Sequence, residues 1–191
     1  MRLFTLGIFL VTSCASLPTG IDEGATSNYY VYRQNKSKES TLSPIFSGIA
    51  PLALFKRASV GVEQGLLGFS LQQLSLIKEA CSYINNTLNE DFLSYKKSDP
   101  DITIRPEEFN CCLGEVTSEV KSKRLIAIIK IKTVQSNEQF YTTMVHEFGH
   151  VLGLAHTEAT GSVMSGSSEE SPTSSFNELE VKTLQYLRRK L

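Results

Sequence analysis

All three histidines of this 191-residue chain fall between His146 and His156, where they are spaced H-E-x-x-H-x-x-G-x-x-H. Few patterns restrict a fold so tightly. Residues four apart on a helix share one face, so His146 and His150 can present two imidazole nitrogens to a single metal ion. Glu147 then sits beside that ion, within reach of a water, rather than on it. Gly153 supplies the positive-φ position that stops the helix and swings the chain back, which a residue with a Cβ would resist. His156 arrives from another direction as third ligand. Three protein ligands plus water is the open arrangement of catalytic zinc, whereas structural sites close with four and favour cysteine. Five fixed positions recur by chance at roughly 10⁻⁷ per starting point, so a coincidental set of core histidines is a poor account of the pattern.

The chemistry follows from the ion. One catalytic Zn2+ lowers the pKa of its water to roughly 7 and polarises a carbonyl oxygen. Glu147 would take the water's proton and later pass it to the leaving amine. That reads as a zinc-dependent endopeptidase hydrolysing peptide bonds without a covalent intermediate. The competing class is a surface binding or adhesion lipoprotein that keeps zinc but has lost turnover, and the intact Glu147 argues against it.

The run HEFGHVLGLAH, followed by Ser162-Val163-Met164-Ser165 with Met164 eight positions after His156, resembles the metzincin clan of metalloproteases and is most similar to the matrixins. Alone, Met164 reads as a core methionine; the resemblance places it in a turn beneath the metal. Astacins and serralysins carry a tyrosine two residues beyond that methionine, where this chain has Gly166. Matrixins usually place serine after the third histidine, here Thr157, and proline soon after the methionine, here Ser165 and Gly166. No P-R-C-G-x-P-D cysteine switch is present, a fourth histidine for a second zinc is lacking, and no dense Asp/Gly loop argues for calcium.

The resemblance implies an α+β metzincin-like zincin domain over residues 58–191. Its parts would be a mixed twisted sheet, a long packing helix, a zinc-site helix, a methionine turn and a C-terminal helix. It also implies a protein or peptide substrate bound as an extra strand along a sheet edge. Cys112 to Thr117 is the candidate edge, with an ordinary loop as the alternative. Gly166 to Ser174 would border the pocket, where Glu169 and Glu170 either favour basic residues or are simply solvated.

At the amino end, Arg2 precedes an almost wholly apolar stretch, Leu3 to Val11, too short for a hydrocarbon core that takes about 20 residues. Residues 1–13 therefore read as an export signal. Val11-Thr12-Ser13-Cys14 resembles a bacterial lipobox, in which Cys14 would be acylated and hold the protein to a membrane facing the periplasm or cell exterior. Ordinary secretion after a small-residue cleavage site is the alternative. Residues 14–57 read as a tether or leader, in which Ser16 to about Ser43, rich in Ser, Thr, Asn and Lys around Tyr29-Tyr30-Val31-Tyr32, is a tether with a short strand or a propeptide.

With Cys14 lipidated, Cys81, Cys111 and Cys112 remain, an odd number for an oxidising compartment. Adjacent cysteines seldom pair, so Cys81 is expected to bridge to Cys111 or Cys112, or all three are buried thiols. The net charge is −1 and the one basic run is Arg188-Arg189-Lys190, which suits a helix C-terminus better than nucleic acid.

Periodicity supplies the elements. Ala58 to Glu63 alternates as a strand, and Leu71, Leu74, Ile77, Cys81, Ile84 and Leu88 mark one helix from Ser70 to Asn89. Asp101 to Arg105 alternates and stops at Pro106, and Lys123 to Thr133 is the strongest strand. The zinc helix is expected from about Asn137 to Leu152. Ser175 with Glu178 forms a capping-box pattern ahead of a closing helix that uses Phe176, Leu179, Leu184, Leu187 and Leu191.

Overall fold

The computed structural model describes residues 57–63, 68–110, 112–121, 124–157, 161–165 and 173–188. The signal, Cys14, the tether up to residue 56, Cys111, Gly166, Glu169, Glu170 and Leu191 lie outside the described residues.

Five strands form one sheet in the order β2-β1-β3-β5-β4. They are β1 (Ala58–Val62), β2 (Leu93–Tyr95), β3 (Ile102–Pro106), β4 (Gly114–Lys121) and β5 (Arg124–Ile131). The first four strands in spatial order are parallel, and β4 runs antiparallel to β5 at one edge. Parallel neighbours need a crossover, and α1 (Leu71–Leu88) provides it between β1 and β2. Two further helices follow, α2 (Asn137–Leu152) and α3 (Glu178–Arg188). The arrangement is the expected α+β one, with both helix and strand bounds close to the periodicity.

One face of the sheet carries the core. Ala58 and Val60 of β1, Ile102 and Ile104 of β3, Val116 of β4 and Ala127, Ile129 and Ile131 of β5 are buried at every second position. Against them lie Ile77, Ala80, Ile84 and Leu88 of α1 and Phe140, Met144, Val145, Phe148 and Val151 of α2. Each such large side chain contributes roughly 1.5–3 kcal/mol by leaving water. Cross-strand polar bonds fix the register: the Ser59 N–H and hydroxyl donate to Asp101 Oδ2 at 2.7 and 2.6 Å.

Helix α1 corrects its expected phase. Leu71 is 86% exposed and Gln73 is buried instead. The reason is the cap: the Gln73 N–H donates to Ser70 Oγ at 3.1 Å, the Ser70 N–H to Gln73 Oε1 at 2.9 Å, and Gln73 Nε2 reaches the Thr133 carbonyl at 2.8 Å. With all its polar groups bonded, Gln73 occupies the inner face and Leu71 is turned out. At the other end Asn89 takes the left-handed conformation, φ 55°. Asn85 then clamps β2, giving Nδ2–H to the Leu93 carbonyl at 3.0 Å and accepting the Leu93 N–H at 2.7 Å.

Cys81 faces the core from α1 as a thiol, without a disulfide, and burial pushes its pKa up to about 12. The expected bridge to Cys112 is absent, since α1 packs chiefly on α2, α3 and β2 and Cys112 leads into β4 at the sheet's far edge.

The last helix also starts later than the sequence pattern suggests. Asn177 Oδ1 accepts the Leu179 and Glu180 N–H groups, both at 2.9 Å, and Glu180 Oε2 accepts the Asn177 N–H at 2.9 Å. The capping box is thus Asn177 with Glu180, two residues beyond Ser175 and Glu178, and Phe176 lies before the helix. Tyr83 of α1 docks this end by accepting the Phe176 N–H at 2.8 Å, and Arg188 closes the other by bonding both Glu90 carboxylate oxygens.

Candidate metal centre

Helix α2 begins at Ser136, whose hydroxyl accepts the Gln139 N–H, and ends at Gly153, φ 104° and ψ 9°. The Gly153 N–H donates to the His150 carbonyl at 2.9 Å and the Leu154 N–H to the Gly149 carbonyl at 2.8 Å. This doubly bonded end needs a left-handed residue, which is the turn expected of Gly153. It brings His156 back over the helix.

The three imidazoles converge. Nε2 of His150 lies 3.0 Å from Nε2 of His146 and 3.1 Å from Nε2 of His156, and the third side of the triangle is 3.2 Å. Three nitrogens held tetrahedrally about 2.0–2.1 Å from a zinc ion stand about 3.3–3.4 Å apart, close to what is seen. Nδ1 of His146 faces the Val163 carbonyl at 2.7 Å and Nδ1 of His150 faces the Leu154 carbonyl at 2.9 Å. A carbonyl can only accept, so both Nδ1 atoms carry the proton and both Nε2 atoms turn lone pairs inward. Lone pairs aimed at one another are repulsive unless a cation lies between them. The donor set therefore fits zinc.

Electrostatics agree. Burial lowers the pKa of His146 to about 4 and that of His150 well below its ordinary value, with the neighbouring histidines adding to the effect. Burial also lowers that of His156. All three are neutral at pH 7, the form that binds metal.

Glu147, one residue along α2, is 2% exposed, and its Oε2 has no hydrogen-bond partner among the described residues. Burial, then the nearby charge of Glu115, raises its pKa to about 8. Glu115 lies on β4 opposite Lys130 of β5, with a charge contact of 3.6 Å. The carboxyl group of Glu147 rests against the first residue of β4: a Cβ on Gly114 would stand 2.5 Å from Glu147 Oε1 and 2.9 Å from Cδ and Cγ.

Met164 is fully buried, its sulfur filling the space that a Cβ on Gly149 would take. The Thr157 N–H donates to the Met164 carbonyl at 2.9 Å, tying the turn to the residue after His156. Two side chains hold the turn from behind. Ser162 Oγ accepts the Met164 N–H at 2.9 Å and donates to Glu180 Oε1 at 2.5 Å. Glu180 is 2% exposed, and burial raises its pKa despite the Ser162 and Asn177 bonds.

Every sequence-predicted residue of the centre within the described part thus falls in one place: His146, Glu147, His150, Gly153, His156 and Met164. Four were not foreseen. Ser162 and Glu180 gave no signal, since a serine and a helix-capping glutamate are ordinary surface residues in a sequence. Gly149 occupies an unspecified position of the histidine motif. Gly114 opens a strand, and a glycine there marks close approach of another group.

Strand β4 is an outer strand of the sheet among the described residues, and it starts two residues later than the expected edge at Cys112 to Thr117 and extends four residues further.

The sequence matches the matrixin family over residues 85–187, just over half of its length. No curated protein matches it. Among solved structures, archaemetzincin from Methanopyrus kandleri superposes with a TM-score of 0.51 at 13% identity, over 74% of this chain and 99% of that one. Myroilysin gives a TM-score of 0.39 at 21% identity, over 58% of this chain and 52% of that one. The archaemetzincin likeness is one of fold. With the family match spanning the histidine helix, the methionine turn and the last helix, this chain belongs to the matrixins, zinc metallopeptidases of the metzincin clan.

Proposed function

We propose that the protein is an endopeptidase in which His146, His150 and His156 hold one catalytic zinc ion and Glu147 is the general base. The observation that carries this reading is the inward convergence of three neutral Nε2 atoms beside a buried carboxylate oxygen that has no partner among the described residues. When bound, the ion supplies a Lewis acid for the scissile carbonyl and acidifies water.

The chain's own groups do the rest. Glu147 takes one proton from water as its oxygen bonds to the carbonyl carbon. It then delivers that proton to the nitrogen as the C–N bond breaks, leaving a carboxylic acid and an amine. The Val163 and Leu154 carbonyls hold two imidazoles in one tautomer and one orientation. Peptide would lie along the open edge of β4, antiparallel pairing being available to an extended chain. The closeness of Gly114, the first residue of β4, to the Glu147 carboxyl group supports placing the site beside that edge.

We further infer export, with Cys14 as a lipid anchor and secretion as the variant outcome. The support is sequence alone: Arg2, the apolar stretch Leu3 to Val11 and the Val-Thr-Ser-Cys run.

Cleavage of casein or a peptide library with and without chelator, alongside zinc analysis, tests the catalytic reading. Glu147→Ala should keep zinc and lose about 10²–10⁴-fold in kcat. His150→Ala should lose both zinc and cleavage. Full proteolysis by a verified Glu147→Ala preparation would overturn the assignment.

A further inference from the structure

We propose that Gly114 is a positioning residue for the general base: by having no side chain it lets the Glu147 carboxylate seat against the first residue of the edge strand. The proposal rests on the catalytic reading above for its kinetic consequence, and on geometry alone for the contact itself.

The backbone does not ask for glycine here. Gly114 is not among the positive-φ glycines, which are Gly68, Gly153 and Gly161. It belongs to a regular antiparallel pairing with Ile131, where any residue could sit. Glycine in such a strand costs stability relative to alanine. What alanine lacks is room. Its Cβ would meet Oε1, Cδ and Cγ of Glu147 at 2.5, 2.9 and 2.9 Å, well inside van der Waals contact.

Nor has Glu147 anywhere else to retreat at no cost. Its neighbours on α2, Val145 and Phe148, are core residues, and Glu115 on β4 opposes any shift toward it. A methyl group at position 114 must therefore drive the carboxylate off its present seat, toward the histidines or out of the fold. Both displace the base by about an ångström, a misplacement that costs on the order of 10²-fold in rate. The same contact has a kinetic meaning. The base touches the strand that would align the peptide, so base and substrate share one reference surface.

Two double-variant cycles test this, one with activity and one without. In the first, Gly114→Ala should lower kcat about 10- to 100-fold while KM stays within about twofold and zinc content is unchanged. In the Glu147→Asp background, whose base is shorter by one methylene, Gly114→Ala should cost nothing further. In the second cycle the metal-free proteins are melted. Gly114→Ala should lower Tm by about 4 °C or more when Glu147 is present, and leave it unchanged or raise it when Glu147 is alanine.

Wild-type kcat in Gly114→Ala, or an equal Tm loss in both backgrounds, overturns the proposal. Should Gly114→Ala alone fail to fold, the Gly114→Ala/Glu147→Ala protein decides: a folded double variant supports the contact and an unfolded one refutes it. If the wild-type chain cleaves nothing, the catalytic reading fails on its own, and the melting cycle still judges the Gly114–Glu147 contact.

Discussion

The first helix and the second treat buried polar groups in opposite ways. Along α1, Gln73 and Asn85 are bonded to main-chain groups at both ends of their amides, and nothing there pulls a charge out of water. Near the end of α2, three imidazoles face one another and a carboxylate oxygen has no partner among the described residues. The first region spends its polar side chains on holding the sheet together. The second leaves free energy unrecovered, and a metal ion and a water are what would recover it. Substitutions should separate the two by sign as well as by size.

The largest effect is expected in the scaffold. Phe140 is fully buried and meets the Phe69 ring edge-on, with centroids 6.0 Å apart. Phe140→Ala should cost about 3–5 kcal/mol in denaturant unfolding, while whatever fraction stays folded binds zinc as before. A variant that lost zinc without losing stability would blur the division between the regions.

Next is the site, with the sign reversed. In the metal-free protein the Glu147 pKa is raised to about 8, so the folded state holds its proton where the unfolded chain releases it. Stability from this group is intact below the unfolded value near 4.5 and is lost as pH rises through 8. Glu147→Gln, which stays neutral, should then stabilise the metal-free protein by on the order of 4 kcal/mol at pH 8 and by less than about 1 kcal/mol at pH 5. Thermal melts across that interval check it, and a constant gain would show that the carboxylate is not strained. The smallest effect belongs to Leu71, turned to solvent by the Gln73 cap. Leu71→Ser should change stability by less than about 0.5 kcal/mol, whereas a larger loss would restore the helical phase read from the apolar spacing.

That phase error shows what a sequence can reveal. Helix α2 was legible at both ends because its stop signal is one residue, Gly153, in a conformation few others adopt. The ligand triangle was legible because helical spacing alone brings His146 and His150 together. Leu71 misled because a cap depends on a bond to Thr133, sixty positions away. Strand β2, only Leu93 to Tyr95, has too little alternation to register and exists through Asn85. Similarly, the seat of Glu147 depends on Gly114, thirty-three positions earlier in the chain, and no local pattern encodes that meeting. The Cys81 bridge failed for a related reason, since adjacency in composition says nothing about which side of a sheet a thiol occupies.

One link reaches further than its length suggests. Through Glu180, Ser162 and the Val163 carbonyl, the closing helix is joined to the imidazole of His146 by three successive polar contacts and one peptide step. A disturbance in the first turn of that helix would thereby reach the histidine cluster, and an ion held there would in turn steady the start of the helix, coupling the two into one cooperative unit.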